Sequence, residues 1–245
     1  MATYSPSTPI DQLERGGNPP RPPAGGGGDD GSNGGSPNYG ERLRRARLGL
    51  VCLIAPIVML FVSLTSAYIV RQGLPTFDNT TNTYVRDWGE VNLPWILLAI
   101  NTGVLLISSV TMEGARRNIT RQAALAPVRS IPGVSLGEEK SFPWLGLTVV
   151  LGFGFLVGQW LAWKELENRG FFISTNPNSS FVYLLTGTHA IHLAGGIIAL
   201  LCAAVASLRQ RPIESRRIVV DIAAWYWHFM ALLWLYVFAL LEFAR

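Results

Sequence analysis

Only two cysteines, Cys52 and Cys202, occur in the 245-residue chain, and both fall inside long apolar runs. Neither a disulfide framework nor a Cys-x-x-Cys redox or metal site can be built from them, and they read as small apolar fillers. Charge is scarce too: 15% of residues are Asp, Glu, Lys or Arg, and 49% are hydrophobic, where a soluble domain is roughly a quarter charged. Five stretches carry no formal charge at all: 48–70, 91–112, 141–163, 170–208 and 222–241. Each can hold the ~20 apolar residues that cross a hydrocarbon core of about 30 Å. The fourth opens with GFFISTNPNSS, a loop composition, so its membrane helix is expected to begin near Phe181. The resulting expectation is an all-α membrane protein, a five-transmembrane-helix bundle. Its helices fall at about 48–70, 92–113, 143–165, 181–208 and 221–243, within one membrane domain over 41–245. Residues 1–40 include PPRPPAGGGGDDGSNGG; with so few large apolar side chains this segment is expected to be a disordered Gly/Pro-rich tail. It has no uninterrupted apolar core of a secretory signal, so the first membrane helix is expected to direct insertion.

Lys and Arg are unevenly divided between the connecting segments. Arg42, Arg44, Arg45 and Arg47 precede helix one. Arg116, Arg117, Arg121, Arg129 and Lys140 separate helices two and three, and Arg209, Arg211, Arg216 and Arg217 separate four and five. Facing them are Arg71, Arg86, Lys164, Arg169 and Arg245. The excess places the N-terminus in the cytoplasm and the C-terminus in the periplasm. The net charge of +4 is therefore a topology signal. Its basic residues are scattered over loops without interleaved aromatic side chains, which argues against nucleic acid as a partner.

Proton relays and ion pathways place carboxylates or bases at membrane depth, and the five charge-free cores hold none. That weakens a transporter reading. The polar groups left inside are Asn101, Gln159, several Ser and Thr, and the only three histidines: His189, His192 and His228. Residues three apart are neighbours on a helix and imidazole suits Zn, Cu and Fe, so His189 and His192 invite a ligand reading. Depth opposes it. With a rise of 1.5 Å per residue, His189 lies about 12 Å below the outer end of helix four and His228 roughly 10 Å above the inner end of helix five. The levels then differ by roughly 10 to 15 Å, which disfavours a shared metal and a haem with one axial histidine from each helix.

The competing reading is packing. His189, His192, Gly196, Ala199 and Ala203 follow helical spacing and form one stripe. Small residues let helices approach closely in a bilayer, and histidine can hydrogen-bond across the contact. On this reading Leu193, Ile197, Leu200 and Leu201 face lipid or larger side chains. Gly154 and Gly158 repeat the close-approach spacing on helix three, with Gln159 beside them. Ala224, His228 and Ala231 form a similar stripe on helix five. Trp225, Tyr226, Trp227 and Trp234 are candidates for a lipid or subunit interface, since Trp and Tyr favour the membrane surface.

FVYLLTGTHAIHLAGGIIAL followed by DIAAWYWHFMALLWLYVFALLEF resembles the last two helices of subunit III of the haem-copper oxidases, the cytochrome c oxidase family. PIVMLFVSLTSAYIVRQG and GFLVGQWLAW resemble earlier helices, and the likeness covers residues 45–243. It implies a multi-pass subunit of a bacterial cytoplasmic (inner) membrane oxidase, packed with oxidase subunits I and II. Haem and copper would then lie in those partners and no cofactor or catalytic centre in this chain. It further implies bound phospholipid in a cleft, support of the partner's proton uptake, and protection of the partner during turnover. By the same resemblance the histidines are structural, and Trp225, Tyr226, Trp227 and His228 are interhelical or lipid-facing. A quinol oxidase or nitric oxide reductase subunit would carry the same features. The larger family form has seven helices, so the lipid cleft is expected to be incomplete here or finished by another chain. Ile57 and Ala231 stand where the family often carries carboxylates, so carboxylate-dependent roles there are not expected to transfer.

Overall fold

The computed structural model describes residues 39–78, 82–85, 88–89, 93–129, 143–173, 176–208 and 213–243. The N-terminal tail expected over 1–40 lies almost wholly outside the described residues, as does most of the loop between helices two and three. Five helices account for nearly everything described: α1 (Tyr39–Gly73), α2 (Trp95–Arg129), α3 (Trp144–Asn168), α4 (Pro177–Leu208) and α5 (Ile213–Phe243). All five are long and apolar enough to cross a membrane.

The charge-free stretches locate these helices but underestimate their lengths. α1 and α2 have 35 residues each, about 52 Å at 1.5 Å per residue, so they run well past the hydrocarbon layer. Their extensions are held by ion pairs that a count of apolar residues cannot register. The Arg47 guanidinium donates to Asp221 Oδ2 at 3.1 Å and that of Arg116 to Asp221 Oδ1 at 3.2 Å, tying α1 and α2 to the start of α5. Arg116 and Arg117 also bond Glu113 at 2.9 and 3.0 Å.

Helix ends follow local chemistry. Pro94, Pro143 and Pro177 stand at the starts of α2, α3 and α4, where a missing N–H costs nothing. Past the end of α3, Gly170 takes φ +84°. Its N–H bonds Glu167 O at 2.9 Å and the Phe171 N–H bonds Leu166 O at 3.1 Å, the paired closure that a left-handed residue after a helix permits. Pro56 sits inside α1, a position tolerated in membrane helices. Between α1 and α2 a short antiparallel hairpin, β1 (Thr76–Asp78) and β2 (Thr83–Val85), pairs Phe77 with Tyr84. No apolar run announces it; Asn82 at φ 54° supplies its turn.

α2 packs on α3 and α5, and α4 on α3 and α5, while among the described helices α1 packs on α4 and α5. The largest fully buried side chains are Trp227, Trp234, Tyr68, Phe61 and Phe155, so the core runs along α5 with the other helices around it.

Candidate functional site

α5 is the axis of the site because four of its polar side chains meet a hydroxyl, carboxylate or guanidinium of α2. Trp234 Nε1 donates to Thr102 Oγ1 at 2.9 Å, Trp227 Nε1 to Ser108 Oγ at 3.0 Å, and His228 Nδ1 lies 2.5 Å from Ser109 Oγ. His228 Nε2 is 3.7 Å from Glu113 Oε2, and Asp221 takes Arg116. Partners rise along α2 as they fall along α5, the register of an antiparallel pair. α2 is stitched to α3 by the same device: Thr111 Oγ1 lies 2.9 Å from Thr148 Oγ1, and Ser108 Oγ donates to Thr148 O at 3.3 Å. Hydroxyls of this kind hold helices together where lipid offers no competing water.

Trp227 and Trp234, candidates for a lipid or subunit interface on sequence, are instead 0% and 1% exposed inside the bundle. The indole N–H decides this, because a hydroxyl on α2 stands opposite each. Tyr226 also turns inward, donating from its hydroxyl to His192 O at 3.0 Å on α4. Trp225, at 55% exposure, is the member of the run that faces outward.

The three histidines occupy separate surroundings. His189 is fully buried between Phe155, 5.8 Å away edge-on, and Trp234, 5.0 Å away and tilted. His192 is half-buried beside Phe61 of α1, with Nδ1 2.8 Å from Thr188 O. That contact makes Nδ1 the donor, because a carbonyl only accepts. His228 lies by Ser109 and Glu113, six residues along α5 from the Trp234 that covers His189, an axial step of roughly 9 Å. Among the described residues, no group of three or more His, Cys, Asp or Glu side chains is placed to hold a metal.

The buried stripe of α4 is rotated from the one read on sequence. His189, Gly196 and Ala203 are buried, but so are Leu193, Ile197 and Leu200, while His192 is half-buried and Ala199 exposed. The inner face must fit large aromatic neighbours, and leucine and isoleucine fill the space around Trp227 that alanine would leave empty. On α3 the close approach falls at Gly152 rather than Gly154. A Cβ on Gly152 would lie 2.8 Å from Trp227 Cη2, whereas one on Gly154 would meet only Val104 Cγ1 at 3.9 Å. Gly158 is packed against the Asn101 amide, and Gly196 against the Tyr226 ring, where a Cβ would lie 2.9 Å from Cε1. Gln159 is 2% exposed on the same face of α3. Gly152, Asn101 and the α2 hydroxyls were missed as site residues; the signal in the sequence is the cluster NTG…SSVT facing Trp227 and Trp234.

Two grooves open at one end of the bundle. One, of about 650 Å³, lies between α2 and α3, with Ile96, Ile100 and Leu161 along its floor and Lys164, Glu165 and Arg169 at its rim. The other, of about 680 Å³, is lined by Val70, Arg71, Leu74 and Phe181 between α1 and α4.

Residues 42–244 match the family described as cytochrome c oxidase subunit III. A Nocardia farcinica protein named probable cytochrome c oxidase subunit 3 is 28% identical over 205 residues, covering 84% of this chain and 91% of that one. A Synechocystis protein named cytochrome c oxidase subunit 3 is 28% identical across 78% of this chain and 72% of its own length. A Mycobacterium tuberculosis relative, also a probable subunit 3, matches at 28% over 42% of this chain and half of its own length. A five-helix bundle whose polar side chains join helix to helix, matched across nearly its whole helical region, belongs to the cytochrome c oxidase subunit III family.

Proposed function

We propose that this chain is a non-catalytic subunit of a haem-copper cytochrome c oxidase in a bacterial inner membrane, packed beside the catalytic subunit, which it stabilises and whose proton uptake it supports. The observation that carries the reading is the family match over residues 42–244. The geometry is in keeping with it, because the buried indoles, hydroxyls and His228 engage one another, which suits a scaffold. In this reading His189, His192 and His228 are interhelical contacts, and subunits I and II carry the haem and copper. Trp225 and the outward face of α1 meet lipid or a neighbouring subunit, and the two grooves are the places for phospholipid. Ile57 and Ala231 are both buried apolar positions, so proton collection would depend on groups such as Glu113 and Asp221.

The test is purification of the tagged chain in mild detergent. The expected result is co-elution with larger subunits that carry the haem and copper spectra, and no haem or metal on this chain once it is separated. One equivalent of either on the isolated chain, lost with His189→Ala or His192→Ala, would contradict the proposal.

The Lys/Arg excess also supports a cytoplasmic N-terminus and a periplasmic C-terminus. An alkaline phosphatase fused within residues 130–140 is expected to be inactive and one fused after Arg245 active; the reverse pattern would refute the orientation.

A further inference from the structure

The core of α2–α5 contains a set of polar atoms that the protein itself leaves unpaired. Asn101 Nδ2, Gln159 Oε1 and both ring nitrogens of His189 have no hydrogen-bond partner among the described residues. All three side chains are at most 3% exposed. They gather at one level of the bundle: Asn101 packs over Gly158, next to Gln159, and His189 lies one turn from Thr186 against Trp234. Leaving a buried amide or imidazole unpaired costs about 1–3 kcal/mol per group, and lipid surroundings offer no water as relief.

The same level holds a small cavity of about 20 Å³, lined by Gln159, Thr186, Trp163, Trp234 and apolar neighbours including Leu98 and Val182. A cavity needs about 10–15 Å³ to hold one water. Thr186 is the second polar group on its wall. Its hydroxyl donates to Val182 O at 2.6 Å and accepts from Trp163 Nε1 at 3.1 Å, which leaves one lone pair on Oγ1. An otherwise apolar cavity of this size stays dry; an unpaired carbonyl on its wall changes that balance.

We infer that this cavity is a binding site for one ordered water, which donates one hydrogen to Gln159 Oε1 and the other to Thr186 Oγ1 and so joins α3 to α4 inside the membrane. The Gln159 carbonyl then gains a partner, and a hydrogen-bonded link replaces a packing defect. The inference concerns the bundle's interior and stands independently of the oxidase assignment.

A cryo-EM map of the purified protein with its subunits, at a resolution where other buried waters are seen, tests it. The expected result is a density peak about 3 Å from both Gln159 Oε1 and Thr186 Oγ1. A cavity without density, or a Gln159 amide turned to bond Asn101 or His189 directly, would overturn it. Gln159→Leu provides a second readout by thermal unfolding in detergent. Loss of a water-mediated link lowers the midpoint. A midpoint unchanged or raised would mean that the carbonyl was unpaired, and the water site would be rejected.

Discussion

Gly152→Leu is expected to destabilise the closed bundle. A Cβ at residue 152 would fall 2.8 and 3.1 Å from Cη2 and Cζ2 of Trp227 and 3.3 Å from Ile197 Cγ1. The indole cannot retreat: its other face covers Gly196, where a Cβ would be 3.4 Å from Cε3, and its Nε1 is held by Ser108. Extra methylenes in a closed core cost about 1–3 kcal/mol, and leucine against a clamped indole belongs at the upper end. Trp227→Ala removes the clamp itself, at about 3–5 kcal/mol for a buried tryptophan. Because the helices remain in lipid when the bundle loosens, this loss is mainly of packing. The two changes should not add. Leucine at 152 fills part of the space the indole vacates, so the double variant should be more stable than the sum of the singles by about 0.5–3 kcal/mol. Thermal unfolding of the four proteins in detergent measures this cycle. Strict additivity would mean that Gly152 and Trp227 do not share one site.

What was legible in the sequence is what the bilayer dictates. Five charge-free runs must be five helices, because no other backbone arrangement of that length satisfies its hydrogen bonds in lipid. Their ends were hidden, since α1, α2 and α5 run on past the charge-free stretches, where Arg47 and Arg116 pair with Asp221. Which face of α4 is buried was half legible: periodicity put His189, Gly196 and Ala203 on one side, but residue size alone does not rank Ala199, which is exposed, against Leu200, which is buried. Trp227 and Trp234 were ambiguous for a physical reason. An indole suits a membrane surface and a core equally well, and only the spatial pairing with Ser108 and Thr102 separates the two. The β1–β2 hairpin was invisible because three-residue strands carry no apolar pattern.

Deleting the chain is expected to leave the partner's haem and copper spectra intact while shortening the enzyme's working life. On the proposed reading the haem and copper belong to the partner subunits, so removing this chain takes away no redox centre. Ile57 and Ala231 are buried apolar positions, so on the proposed reading the initial rate should fall less than durability. On the proposed reading, what is lost is a lateral support: a bundle whose outward surface is rich in large apolar side chains such as Leu48, Met59, Val62 and Ile107. Without it the catalytic subunit would meet lipid over a surface shaped for a protein, and the effect should grow with every turnover. The direct measurement is oxygen consumption by wild-type and deletion membranes, matched by haem absorbance and followed over many turnovers. Equal spectra, similar initial rates and a several-fold faster decay in the deletion are the predicted result. An oxidase that keeps its full rate and lifetime without this chain, or that loses a haem signal belonging to it, would contradict the account.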